Sequence, residues 1–190
     1  MSIPVLDAGS LGEGDATAAL MEAGAVVLSG IASAEMQRAV EAEMAPLWAR
    51  TKAMKEQGEQ AFYAGDTKRV GNLLSKMDTV TAMVIDDRVL DGVGGALLPN
   101  CSSFQLHVCS GLNVGPGARA QVLHREDDWD EVREWSGEMH EEGDKKALCV
   151  ATMWAMTPFT SANGATLIVR LSPLLDVRRT ARRPNVRAPG

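Results

Sequence analysis

Apolar residues in the first half of the chain recur with the period of a helix. Met36, Val40, Met44, Leu47 and Trp48 fall at i, i+4, i+8, i+11 and i+12, which is one stripe of a 3.6-residue turn. Ser33 stands just before that stripe, where a hydroxyl can accept from the first free backbone N–H groups, so a capped helix is expected from there. A shorter helix is expected after Asp15, through Met21, Glu22 and Ala23, with Gly24 as its stop. Two more are expected: one starting at Asp78 or Thr79 and crossing 82–85, the other from Arg88 to Leu98, ended by Pro99. Between the first two, Ala25 to Ser29 is a short β-type run closed by Gly30, and 50–70 is polar and loop-like.

After residue 100 the period shortens. Ser103 to Val108 alternates polar and apolar positions, so Cys101 to Leu112 reads as a strand pair. Gly115-Pro116-Gly117 is a turn, and 118–124 reads as a strand leaving it. Ala147 to Met156 is a long apolar run, expected as a buried strand, and Asn163-Gly164 is a turn before a further strand over Ala165–Val169. The stretch 130–146 is acidic and polar, an exposed helix or loop. Helices first and strands afterwards give an α+β layout.

A chain of 190 residues accommodates one domain or slightly more. At that length roughly 70% of the unfolded surface can be buried, enough for a real core. The net charge of −6 argues against general nucleic-acid binding. No run approaches a membrane span, and the N-terminus has no basic segment before an apolar one. Cys101, Cys109 and Cys149 are odd in number and lack metal-site spacing, so a reducing, cytoplasmic setting is expected. Charge is uneven: 126–144 holds ten acidic residues, whereas 170–190 holds six arginines against Asp176 alone.

The chemistry concentrates in Gln121-Val122-Leu123-His124-Arg125-Glu126-Asp127-Asp128. On a strand, i and i+2 face the same way about 6–7 Å apart, so His124 and Glu126 can reach one metal ion. They supply two members of a 2-His-1-carboxylate set. Asp127 is a substitute carboxylate if Glu126 points away. His107 reads as an ordinary strand residue and His140 as a solvated one, and no histidine follows His140. Lys68 and Arg69 read as a solvated loop or as a pair approaching an anionic molecule.

The order of parts resembles the phytanoyl-CoA dioxygenase family. Four stretches carry the likeness: Glu22 to Ile31 between two helices, Thr67-Lys68-Arg69-Val70-Gly71-Asn72-Leu73, Pro116-Gly117 before Gln121 to Asp127, and Met153 to Thr160 running into Asn163-Gly164-Ala165-Thr166. The resemblance implies a double-stranded β-helix (jelly roll) with N-terminal helices, spanning 1–169, its C-terminal strands incomplete. It implies Fe(II), 2-oxoglutarate as co-substrate and ascorbate as an accessory, acting on a small organic substrate, fatty acyl or secondary metabolite. His124 resembles the first iron ligand, and Glu126 stands where the family usually has aspartate. Gln121 resembles a residue near 2-oxoglutarate, although its offset of three from His124 puts it on the other strand face. Trp154 resembles a wall of the co-substrate pocket; taken alone it reads as core.

After Val169 the chain departs from that pattern. The family continues with Pro-Gly-Ser-His, whose histidine is the second nitrogen ligand, and an arginine about ten residues later holds the co-substrate. Here Arg170-Leu171-Ser172-Pro173 follows instead. A shifted reading frame or truncation after Val169 and a genuinely diverged basic tail over 170–190 both account for this, the first being preferred. Two functional readings stand at this point: an oxygenase impaired in this form, and a jelly-roll binding protein without catalysis.

Overall fold

Ser33 sets the longest helix. Its Oγ accepts from Met36 N at 3.0 Å, and α2 runs from there over Ala34–Arg50. The apolar stripe faces inward as spaced: Val40 and Met44 are buried, while Met36, Leu47 and Trp48 are partly buried beside them. The computed structural model describes residues 2–55, 62–63, 65–121, 123–124, 126 and 147–169. Before α2 come β1 (Val5–Asp7), α1 (Asp15–Ala23) and β2 (Val27–Ser29). After it come β3 (Lys68–Gly71), a 3-10 turn (Leu73–Ser75), α3 (Asp78–Val84), α4 (Asp87–Leu97) and β4 (Ser110–Asn113).

Two pairs of strands form among the described residues. β1 runs parallel to β2, with Leu6 opposite Leu28. β3 runs antiparallel to β4, with Arg69 opposite Leu112 and Val70 opposite Gly111. The main core lies between α2, β3, the 3-10 turn and α3, and is made of Val40, Met44, Val70, Leu73, Met77, Val80 and Met83. Gly111 lets β4 lie flat on α2: a Cβ there would come 2.9 Å from Met44 Cε and 3.3 Å from Trp48 Cη2. A second contact joins α1 to α4 through small residues. Gly92 sits over Ala16, and a Cβ on Gly95 would overlap Thr17 Oγ1 at 2.1 Å.

The helix ends show which signals were local. Asp86 caps α4, its Oδ1 accepting from Arg88 N at 3.0 Å. The start of α1 is different: the cap position is Gly14 at φ 79°, and its N–H donates to Asp91 Oδ2 at 3.1 Å. Asp15 instead reaches back, Oδ2 accepting from Gly12 N at 2.8 Å. Met77 has no side chain to cap α3. Glu43 on α2 does so across space, accepting from Thr79 N at 3.3 Å and from Thr79 Oγ1 at 2.7 Å.

Mixed helix and strand is what the fold contains, with fewer strands than the sequence suggests. Lys68–Val70, expected as the end of a loop, belongs with Gly71 to a strand because β4 pairs with it. Within 101–112, expected as a strand pair, the ladder begins only at Ser110. Phe104, Leu106 and Val108 are exposed on a segment without helix or strand. Described residues of 118–124, 147–156 and 165–169 likewise carry no strand. Met153 is 59% and Leu167 69% exposed, so neither behaves as a buried strand residue. Alternation and apolarity fit a strand, but a ladder also needs a partner edge, and no described segment supplies one to these. The acidic run 130–146 and the arginine-rich stretch 170–190 lie outside the described residues. Among the described residues no helix is long and apolar enough to cross a membrane.

Two stability outcomes follow from these caps. Glu43→Ala should cost about 1–2 kcal/mol in urea unfolding, the usual worth of a lost cap, with Glu43→Gln losing less. The Arg88 guanidinium, hydrogen-bonded to Asp86, holds that carboxyl below the usual carboxylate range against the opposing effect of burial. A carboxylate with a lowered folded-state pKa stabilises above its unfolded value of about 3.9, and the gain fades as pH falls through the folded value. The stability gap between wild type and Asp86→Ala should therefore be widest at neutral pH and shrink below about pH 3.9, measured by thermal unfolding across pH.

Candidate metal site and the loop that supports it

The β3–β4 ladder does not stop at its last pair. Beyond Lys68 and Asn113 the two chains continue side by side, Asp66 N donating to Pro116 O at 3.2 Å. The approach is close enough to require glycine. Gly65 sits at φ 68°, and a Cβ there would lie 2.4 Å from Ala118 N and 2.8 Å from Pro116 O. A Cβ on Gly115 would lie 2.5 Å from Asp66 O. Gly117, at φ 77°, closes the turn, with Ala118 N donating to Gly115 O at 3.3 Å. This backbone clasp carries Phe62 and Tyr63 to one side of the segment that holds Gln121, His124 and Glu126.

His124 and Glu126 come together, although the described residues around them form no strand and strand alternation is therefore not what joins them. Nε2 and Oε1 are 3.6 Å apart, too long for a hydrogen bond between them. Two donors on one transition-metal ion, each about 2.0–2.2 Å from it, lie about 3 Å apart at a right angle and about 4 Å apart at most. The pair therefore fits a shared cation with little movement. Among the described residues no group of three or more His, Cys, Asp or Glu side chains gathers. His107 lies on the exposed segment before β4. His140, Asp127 and Asp128 fall outside the described residues.

Phe62 joins the site although nothing in the local sequence pattern marks it. Its ring packs edge-on to His124, centroids 4.8 Å apart and planes at 63°. Tyr63 packs on Phe62 at 4.9 Å and 83°, and Arg69 of β3 lies over the Tyr63 ring at 5.9 Å. Ring pairs of this kind contribute about 0.5–1.5 kcal/mol beyond the area they bury. The available signal was composition: with three Phe and one Tyr in the chain, two adjacent in a polar loop stand out. Gln121 Nε2 donates to the Phe62 backbone oxygen at 3.2 Å, so Gln121 braces the loop beside His124. Trp154 is partly buried against the main core. Lys68 Nζ donates to Trp48 O at 3.0 Å, at the end of α2.

The profile of the phytanoyl-CoA dioxygenase (PhyH) family matches residues 20–189. A dioxygenase of Alternaria alternata is 29% identical over 157 residues, covering 78% of this chain and 50% of that protein. A dioxygenase of Gibberella moniliformis is 28% identical over 158 residues, again covering 78% of this chain and 50% of that protein. The chain thus spans about half the length of these curated relatives.

The clasp has a direct test. Gly65→Ala should cost about 2–4 kcal/mol, from the left-handed backbone and the overlap with Ala118 together. It should also remove the NMR cross-relaxation between the Phe62 and His124 rings. Wild-type stability with the ring contact retained would show that the clasp does not need glycine.

Proposed function

The chain belongs to the phytanoyl-CoA dioxygenase family, and on that premise we propose that it is an Fe(II)- and 2-oxoglutarate-dependent oxygenase for a small organic substrate, with activity impaired in this form. The carrying observation is the 3.6 Å approach of His124 Nε2 to Glu126 Oε1. An imidazole and a carboxylate on one edge are the donor types of a non-haem iron site. When bound, iron and 2-oxoglutarate supply the oxidising chemistry, in which O2 is consumed, the keto acid loses CO2 to become succinate, and a substrate C–H bond gains oxygen.

The chain's own residues would hold and orient. His124 and Glu126 would bind the ion from one side. Gln121 would keep the Phe62 loop closed over that side through its bond to the Phe62 carbonyl. Trp154, packed on the core, would form part of the co-substrate pocket wall, as the family resemblance implies. The family's double-stranded β-helix is the proposed frame, with β3 and β4 as two adjoining strands. The substrate would be a fatty acyl or secondary-metabolite molecule, and an odd number of cysteines without metal-site spacing suits a reducing, cytoplasmic compartment.

A second reading, ligand binding without catalysis, is favoured by the ligand count. The sequence holds three histidines, His107, His124 and His140, and the described residues bring His124 alone to Glu126. Loss of a group that merely orients a ligand costs about 10–100-fold in affinity or activity, and loss of a ligand should cost more. Both readings expect Mn(II), as a redox-inert substitute, to bind in anaerobic calorimetry, more tightly with 2-oxoglutarate present, and His124→Ala to abolish it. Oxygen uptake by this 190-residue polypeptide should stay close to that of His124→Ala. Uptake well above the variant would discard the binding-only reading; absence of His124-dependent Mn(II) binding would discard both.

A further inference from the structure

A ligating histidine needs its ring held in one orientation, ordinarily by a contact to the side of the ring away from the metal. At His124 the structure packs the Phe62 ring edge-on against the imidazole. We propose that Phe62 is a positioning residue for His124, an aromatic brace that sets the imidazole's orientation toward Glu126. The proposal rests on the reading of His124 as a metal ligand.

The geometry is that of an attractive ring pair. A centroid distance of 4.8 Å and an interplanar angle of 63° put one ring's edge toward the other's face, which the quadrupoles of both favour. A phenyl ring has no hydrogen-bonding atom, so it confines the imidazole without competing for Nε2, the atom nearest Glu126. Phe62 is itself fixed from several sides. Tyr63 packs edge-on at 4.9 Å, Gln121 Nε2 donates to its carbonyl, and the Gly65 clasp anchors the loop three residues on. Tyr63 in turn lies under Arg69, on β3. The row Arg69–Tyr63–Phe62–His124 thus links the imidazole to the strand ladder. Among the described residues Phe62 lies outside the buried core cluster.

The test uses the whole 190-residue chain as wild type, Phe62→Leu, Phe62→Tyr and His124→Ala. Mn(II) affinity should fall about 10-fold in Phe62→Leu, the lower end for loss of a ligand-orienting contact, and return close to wild type in Phe62→Tyr. In the metal-free protein, the ring current of residue 62 should displace the His124 imidazole C–H signals in wild type and Phe62→Tyr. In Phe62→Leu those signals should move toward the position of His107. Phe62→Met keeps bulk without a ring and gives the same comparison should Phe62→Leu fold poorly. Affinity unchanged in Phe62→Leu while His124→Ala abolishes binding would overturn this proposal and leave the ligand reading intact. No His124-dependent binding in wild type would overturn both together.

Discussion

The structure around His124 depends on one constraint, the backbone-to-backbone approach of residues 65–66 to 115–118. Strand pairing supplies hydrogen bonds between β3 and β4, but four residues a side make a short ladder. The clasp prolongs it into segments that have no ladder of their own. Side chains are excluded there, since a Cβ at Gly65 or Gly115 would fall within 2.5 Å of the opposite backbone. Removing the side chains is what lets two polar loops become neighbours, and that neighbourhood brings Phe62 against His124. The site is therefore built by absence of side-chain volume in one place so that side chains converge in the next.

Behind the clasp stands α2. Its stripe buries Val40 and Met44 against Val70, Leu73 and Met83, so the inner face of β3 is fixed by the same helix that sequence periodicity predicts. Glu43 on that helix caps α3, and Trp48 and Met44 press on Gly111 of β4. One helix thus holds the strand pair and the following helix together. Movement of α2 would be felt at Arg69 and Tyr63, because Lys68 donates to the Trp48 carbonyl at its end.

What could be read from the sequence was what is local. Ser33 lies within three residues of the N–H group it caps, so its helix was legible from chemistry and period, whereas the cap that Asp86 gives α4 was not read from the sequence. His124 and Glu126 were legible as candidate partners from their two-residue spacing, but the strand behind that reading does not form among the described residues. The rest depends on distant partners. Lys68-Arg69-Val70-Gly71 has no strand pattern and becomes one only opposite Ser110–Asn113, about forty residues on. Thr79 is capped from Glu43, which no short-range rule anticipates. Phe62 reaches His124 only through the glycine clasp. Conversely, the alternation of 103–108 met the strand pattern and found no partner edge among the described residues. Trp154 needs the fold to say that it faces the core.

The central proposal is that His124, held by the loop that the clasp closes, is a nitrogen ligand to a metal that Glu126 shares. Pulsed electron paramagnetic resonance of Mn(II) added to the protein with 2-oxoglutarate examines that bond itself. The account expects nitrogen modulation from one directly coordinated imidazole, absent in His124→Ala and retained in His107→Ala. Modulation that survives His124→Ala, or a wild-type spectrum of hydrated Mn(II) without nitrogen coupling, would contradict it.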